Sequence, residues 1–208
     1  MGIGMYVFGI TGGVGAGKST VLRLLCENFN AVAVQADEVG RMLMEPGQPA
    51  YNRIVEVFGD GVLEDESLVH KLPLNREKLA SLIFADNNKR IVLNGIVHPL
   101  VKKFITEEIG RVTCGGRYDF MFVEAALLIE DHYDVICDEL WYIYADEAVR
   151  RQRLTQSRGY SEEKINSIFK SQLKDDEFRK HCSIVIDNSG GEADTLRQLK
   201  EIIAKYGG

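Results

Sequence analysis

The chain has 208 residues, of which 45% are hydrophobic and 27% are charged, and its formal net charge is −6. This composition is typical of one soluble domain, residues 1–208, with room for a small inserted subdomain. The acidic balance argues against a nucleic-acid partner, which usually requires a basic face. No apolar run approaches the roughly 20 residues that span a bilayer, so we expect no membrane association.

The N-terminal residues and the cysteines point to the cytoplasm. The sequence has no basic and then apolar leader, so we expect no signal peptide. The four cysteines lie far apart, at positions 26, 114, 137 and 182, and they form no C-x-x-C pair or metal-ligand spacing. We therefore expect reduced thiols in a cytoplasmic protein. The sequence leaves protein partners open.

The strongest motif is the stretch Gly12-Gly13-Val14-Gly15-Ala16-Gly17-Lys18-Ser19, which has the pattern of a phosphate-binding loop. An apolar run at residues 5–10 predicts a buried strand before it, and apolar residues at helical spacing follow it. Glycines let backbone N–H groups converge on phosphate oxygens, and the helix adds the positive end of its dipole. The residues expected to bind ATP are Gly13, Val14, Gly15, Ala16, Gly17, Lys18, Ser19 and Thr20. Lys18 should reach the β- and γ-phosphates, and the Ser19 hydroxyl should bind Mg²⁺.

Beyond the loop, apolar strands alternate with helices. Strands are predicted at residues 31–34, 119–123, 140–145 and 183–186. Helices are predicted at 38–44, 51–58, from 75 onward, at 100–109, 147–157, from 161 onward and at 193–205, with a break at His98-Pro99 and a loop at 114–117. This alternation predicts an α/β fold with a P-loop NTPase-type parallel sheet flanked by helices. Ligands of such sheets bind outside the carboxyl ends of the strands.

Three polar residues follow predicted strands and are expected beside the phosphate loop. Asp37 can take the proton from an acceptor hydroxyl, or it can cap the following helix. Glu124 can orient Mg²⁺ together with Ser19, or it can be a charge exposed at a strand end. Asn188 can hydrogen-bond the adenine edge, or it can be a turn residue.

Four arginines at positions 150, 151, 153 and 158 follow the fourth strand. Guanidinium groups suit transferring phosphates, and a helical lid can close them over ATP and exclude water; a solvated basic face is the alternative. Arg153 is the single arginine that we expect to act in catalysis, together with Lys18 and Asp37. His98 precedes Pro99, and it is either a structural residue or part of the acceptor site.

In combination, these motifs resemble the dephospho-coenzyme A kinase family, and the likeness runs from Ile10 to about Leu199. The matching stretches are Gly9 to Ser19, Gln35-Ala36-Asp37, Val97-His98-Pro99-Leu100-Val101, Leu127-Leu128-Ile129-Glu130, Gln172, and Val185-Ile186-Asp187-Asn188-Ser189-Gly190. The phosphate loop is shared by many enzymes, whereas this combination, order and spacing are specific. The chain differs from the family pattern at Gln35, Glu124, Ala126, Ser157-Arg158 and Ile168.

The resemblance implies transfer of the γ-phosphate of ATP to the ribose 3′-hydroxyl of dephospho-coenzyme A, with Mg²⁺, as the last step of coenzyme A synthesis. It implies that Asp37 is the general base and that Asp37 and His98 contact the acceptor. It also implies a nucleotide-binding core at about residues 1–59, 111–146 and 176–208, a helical acceptor-binding region at about 60–110, and a helical lid at about 147–175.

Two other classes remain open on the residues themselves. The first is another small-molecule kinase with the same core, acting on a nucleoside, a nucleotide or a related alcohol. The second is a nucleotide-hydrolysing switch, which the sequence disfavours because it has no guanine-reading Asn-Lys-x-Asp stretch. Basal hydrolysis separates these classes, since a switch turns over alone and a kinase needs an acceptor.

Overall fold

The computed structural model describes residues 4–64 and 72–207. Its strands are β1 (Tyr6–Thr11), β2 (Ala31–Gln35), β3 (Phe120–Glu124), β4 (Glu139–Tyr144) and β5 (Ile184–Asp187). Its α-helices are α1 (Lys18–Asn28), α2 (Ala36–Leu43), α3 (Pro49–Phe58), α4 (Arg76–Ala85), α5 (Asn87–Gly115), α6 (Glu147–Arg158), α7 (Glu162–Ser171), α8 (Asp175–His181) and α9 (Glu192–Ile203). Contacts divide the chain into two compact units, one formed by Met1–Val34 with Ile109–Gly208 and the other by Gln35–Glu108.

The first unit is built on a five-stranded sheet with the order β2-β3-β1-β4-β5. Strand β1 pairs in parallel with β3 and with β4, and β4 pairs in parallel with β5. The interior residues of β1, β3 and β4 are apolar and buried, because helices cover parallel sheets on both faces. Phe8, at the centre of the core, stacks on Trp141 with ring centroids 4.6 Å apart. The predicted α/β fold with a parallel sheet flanked by helices is confirmed.

The sheet register aligns the strand ends that carry polar residues. Ile10 of β1 lies opposite Glu124 of β3, and Tyr144 of β4 lies opposite Asp187 of β5. The phosphate loop follows β1, and Asn188 follows β5 directly. Since all of these strands run in the same direction, their carboxyl ends present these groups at one edge of the sheet.

The second unit is helical in its described residues and has its own core, formed by Tyr51, Ile54, Val62, Leu74, Leu79 and Leu93. The predicted break at His98-Pro99 is wrong, because α5 continues through Pro99. Leu93, Val101 and Ile105 recur on one buried face of this helix. Burial on both sides of Pro99 offsets the loss of one backbone hydrogen bond, which costs about 3 kcal/mol.

Two helix boundaries and one whole helix also differ from the sequence prediction. Helix α2 begins at Ala36, two positions before its predicted start at 38, and α5 ends at Gly115 within the predicted loop 114–117. Helix α8 was not predicted, because Phe178 is its one buried apolar residue and gives no periodic pattern. Among the described residues, no helix is both long and apolar enough to cross a membrane.

Candidate active site

The phosphate loop turns between the end of β1 and the first residue of α1. Gly15 and Gly17 have φ angles of 84° and 87°, in the left-handed region that favours glycine. Gly17 is the N-cap of α1, and a Cβ at this position would collide with the side-chain amide of Asn188. No acidic residue lies in the first turn of α1, and its N-cap is a glycine without a capping side chain, so the described residues leave this helix N-terminus suited to an anion.

Lys18 is held at this loop by two acceptors. Its Nζ donates a hydrogen bond to the Gly12 carbonyl oxygen at 2.9 Å and lies 3.6 Å from Glu124 Oε1. Glu124 is only 8% exposed at the end of β3, so it is not the solvent-exposed charge that the sequence left open. The structure therefore brings together the cation and the carboxylate that we expected beside the phosphate loop.

Ser19 and Thr20 are the next residues of α1, and the Ser19 side chain is exposed. Its hydroxyl and the Glu124 carboxylate are hard oxygen donors of the kind that Mg²⁺ prefers, and Mg²⁺ usually binds one or two protein oxygens and keeps several waters. The described residues contain no group of three His, Cys, Asp or Glu side chains that could hold a metal alone. The donor set thus fits a metal that is bound together with a nucleotide.

Asn188 fixes the far side of the loop. It is 3% exposed, its Nδ2 donates to the Ala16 carbonyl at 2.8 Å, and its Oδ1 accepts from the Thr195 hydroxyl at 2.8 Å. The backbone N–H of Asn188 donates to Tyr144 O at 2.8 Å. Asn188 is therefore a buried clamp on the phosphate loop, a role that the sequence prediction of an adenine contact or a turn did not include.

Two of the four arginines reach the loop. Arg153 donates to the carbonyl oxygens of Ala16 at 3.3 Å and Asn188 at 2.8 Å. Arg150 donates through Nε to Val14 O at 2.9 Å and through Nη2 to Gln172 Oε1 at 2.9 Å. Burial lowers the pKa of the Arg150 guanidinium, but its ordinary value is so high that the group stays charged.

The other two arginines serve the helices that carry them. Arg151 forms ion pairs with Glu147 at 2.7 Å and Glu162 at 2.8 Å, so it ties α6 to α7. The exposed Arg158 guanidinium lies 5.9 Å from the ring of Tyr160, which is half-buried. The basic cluster is therefore not one surface, and its members divide between the loop and the α6–α7 hairpin.

Gln172 is the site residue that the residue chemistry did not identify. It is the C-cap residue that follows α7, and its Oε1 accepts a hydrogen bond from the Val14 backbone N–H at 3.2 Å as well as the one from Arg150. The only signal for it in the sequence was its position in the family resemblance, because a single glutamine after an amphipathic helix has no distinctive pattern.

Asp37 and His98 belong to the second unit. Asp37 is exposed in the first turn of α2, where a carboxylate is favourable at the positive end of the helix. The N-cap of α2 is Gln35, so the alternative of Asp37 as the helix cap is wrong. His98 lies half-buried within α5, so it is not a loop residue between two helices.

Comparison with known proteins gives a consistent result. The dephospho-CoA kinase family model matches residues 6–194. Dephospho-CoA kinase from Carboxydothermus hydrogenoformans is 34% identical over 96% of this chain and 94% of its own, and the enzyme from Vibrio parahaemolyticus is 30% identical over 96% and 94%. Among solved structures, TT1252 from Thermus thermophilus has a TM-score of 0.78 at 26% identity, covering 98% of both chains.

Two more distant structures support the fold alone. Dephospho-CoA kinase from Campylobacter jejuni has a TM-score of 0.69 at 20% identity, covering 96% of both chains. Shikimate kinase from Acinetobacter baumannii has a TM-score of 0.52 at 16% identity, covering 97% of this chain and 94% of its own. The family match, the relatives that cover nearly the full length and the phosphate loop agree: this chain belongs to the dephospho-CoA kinase family, whose members are ATP-dependent phosphotransferases.

Proposed function

We propose that this chain transfers the γ-phosphoryl group of ATP to the ribose 3′-hydroxyl of dephospho-coenzyme A, giving coenzyme A and ADP. The observation that carries the proposal is the Lys18 ammonium, held between Gly12 O and Glu124 at the mouth of a glycine loop, in a chain that belongs to this family. A positive charge in this place stabilises the negative charge that builds up on the phosphates during transfer.

ATP binding rests on the backbone N–H groups of residues 13–20 and on the Lys18 side chain. Mg²⁺ would be held by the Ser19 hydroxyl and, directly or through water, by the Glu124 carboxylate. The metal supplies charge neutralisation at the phosphate oxygens. Lys18 positions the β- and γ-phosphates, while Asn188 keeps the loop in shape and is also the residue that we assign to the adenine edge.

Asp37 acts as the general base in this proposal. The transition state of phosphoryl transfer is loose, so the carboxylate chiefly orients the hydroxyl and accepts its proton late. Asp37 and His98 contact the acceptor, the helical region at about residues 60–110 binds it, and the lid at about 147–175, with Arg153, excludes water. We also propose that the enzyme works in the cytoplasm.

Phosphorus NMR of the product tests the reaction. With ATP, Mg²⁺ and dephospho-coenzyme A, the new signal should be a 3′-phosphomonoester. Pantetheine compounds and nucleosides, tested as alternative acceptors, should be phosphorylated markedly more slowly than dephospho-coenzyme A. Phosphate on another hydroxyl or on a terminal phosphate would assign the chain to another small-molecule kinase activity, and ATP hydrolysis that is equally fast without any acceptor would contradict a kinase.

Asp37→Asn tests the general base. It keeps the size and hydrogen-bonding capacity of the side chain, and kcat should fall by about 10²–10⁴ because general-base help is lost. ATP affinity should be retained, since Asp37 is not assigned to the triphosphate. Glu38→Gln is the matched control, because Glu38 is an exposed carboxylate in the same first turn of α2. A near-normal kcat in Asp37→Asn would remove Asp37 from proton transfer.

A further inference from the structure

One oxygen atom at the phosphate loop has an unusual pair of donors. Gln172 Oε1 accepts hydrogen bonds from the backbone N–H of Val14 at 3.2 Å and from Nη2 of Arg150 at 2.9 Å. A loop amide and a guanidinium that converge on one oxygen are the donors that a phosphoryl oxygen attracts. Here an uncharged side-chain amide takes that position.

The position of Val14 in the loop indicates which phosphate is concerned. The backbone N–H groups of a phosphate loop cradle the α- and β-phosphates, while the lysine reaches the β- and γ-phosphates. The Lys18 ammonium lies on Gly12 O, in the arm of the loop that enters from β1. Val14 belongs to the same arm, and the Arg150 guanidinium packs against Gly13 beside it. The two donors therefore lie in the arm of the loop that Lys18 contacts, which favours the γ-phosphate as their ligand.

The positive charge of Arg150 is also available to a phosphate. Its two acceptors, Val14 O and Gln172 Oε1, are uncharged, and within the described residues no carboxylate forms an ion pair with it. Its guanidinium lies 4.2 Å from the centre of the Phe169 ring, and the side chain is half-buried. A cation that is partly removed from water interacts more strongly with an anion than an exposed one does.

Arg153, in contrast, is occupied by the protein itself. Its Nη1 lies 3.3 Å from Ala16 O and its Nη2 lies 2.8 Å from Asn188 O, so both ends of the guanidinium hold backbone carbonyls. Arg151 is occupied as well, by Glu147 and Glu162. Of Arg150, Arg151 and Arg153, Arg150 is the one that can exchange a contact, the one with Gln172, for a phosphate oxygen without breaking an ion pair, and its Nε can keep the hydrogen bond to Val14 O.

We propose that Arg150 and the Val14 N–H form a ready-made cradle for an oxygen of the γ-phosphoryl group, and that Gln172 occupies this cradle until ATP arrives. The proposal rests on the phosphotransfer function given above and deepens it. ATP displaces the Gln172 amide, and Arg150 then neutralises charge on the transferring group. Arg150 is thus a catalytic residue, while Arg153 positions the loop.

Substitution of Arg150 tests the first half of the proposal. Arg150→Ala should lower kcat by about 10²–10³, as expected for loss of a donor to the developing charge. It should weaken the binding of a non-hydrolysable ATP analogue on the order of tenfold and change the affinity for ADP by less than about twofold, because only the contact with the γ-phosphate is lost. Arg151→Ala is the control, with kcat within about twofold, since exposed ion pairs contribute little. Equal losses for ADP and the analogue would overturn the assignment to the γ-phosphate.

Gln172 variants test the second half. Gln172→Ala empties the cradle, so the affinity for the ATP analogue should rise while the affinity for ADP stays constant. Gln172→Glu places a carboxylate against Arg150, so the analogue should bind on the order of tenfold more weakly. An analogue affinity that is unchanged or lower in Gln172→Ala would show that Gln172 does not compete with the γ-phosphate.

Two controls keep the outcomes separate. Circular dichroism and thermal unfolding establish that each variant is folded. If Arg150→Ala does not fold, Arg150→Lys replaces it. Lysine keeps the charge but loses the planar fork, so this variant should still have a lower kcat and a lower affinity for the analogue. The binding experiments need no acceptor. A chain that fails to phosphorylate dephospho-coenzyme A would refute the proposed function, whereas unchanged analogue binding in the Arg150 and Gln172 variants would refute the cradle.

Discussion

Removal of the Asn188 side chain should lower the free energy of unfolding, because two buried hydrogen bonds are lost. Asn188→Ala deletes the donor to Ala16 O and the acceptor of the Thr195 hydroxyl, both at 2.8 Å. A buried group left without its partner costs about 1–3 kcal/mol. Both groups keep a weaker contact, Ala16 O to Arg153 at 3.3 Å and Thr195 to Gly191 O at 3.4 Å. We therefore expect a total loss of about 2–4 kcal/mol.

Thermal and urea unfolding of the nucleotide-free protein measure this loss. For a chain of this size, the midpoint temperature should fall by about 5–15 °C, at about 2–4 °C per kcal/mol. Thr195→Val, which breaks one of the two hydrogen bonds, should lose about half as much free energy, and adding it to Asn188→Ala should cost little more. A loss below about 1 kcal/mol in Asn188→Ala would refute the clamp and return Asn188 to a nucleotide contact alone.

Three further results are expected. Lys18→Ala should lower kcat by about 10² or more, because a charge at the β- and γ-phosphates is lost; near-normal turnover in steady-state assays would exclude the loop from the mechanism. Excess chelator should abolish transfer and added Mg²⁺ should restore it, and full activity without divalent metal would contradict the metal assignment. Iodoacetamide at pH 8 should modify exposed Cys114 and spare Cys182, because burial raises the pKa of the Cys182 thiol to about 12. Mass spectrometry of the native protein would contradict this if Cys182 reacted first.

The strands and the loop could be predicted because their signals are local. A parallel strand covered on both faces needs an apolar interior, and the interior residues of β1, β3 and β4 are apolar. The phosphate loop needs glycines and a lysine at fixed spacing, whatever the rest of the fold does. The placement of Glu124 then followed from the rule that carboxyl ends of parallel strands share one edge.

The remaining features depend on contacts between distant residues. Pro99 is a helix breaker in local terms, yet α5 continues because residues on both sides of it are buried. Gln172 meets Val14 across 158 positions of the sequence, and Arg150 differs from Arg151 only in the direction that its side chain takes from α6. The sequence pattern predicts that these arginines lie on one helix, but it does not show which of them faces the loop.

The strand order has a consequence for how the protein is made. Strand β1 precedes β3 and β4 by more than 100 residues in the chain, yet it lies in the middle of the sheet between them. At its start, Val7 donates to Asp138, a residue 131 positions later in the chain. Pairings between such distant segments form slowly, because a large loop must close before they contribute any stability. The apolar residues of β1 therefore stay without their partner strands until more than half of the chain has been made, and during this interval they can bind chaperones or aggregate.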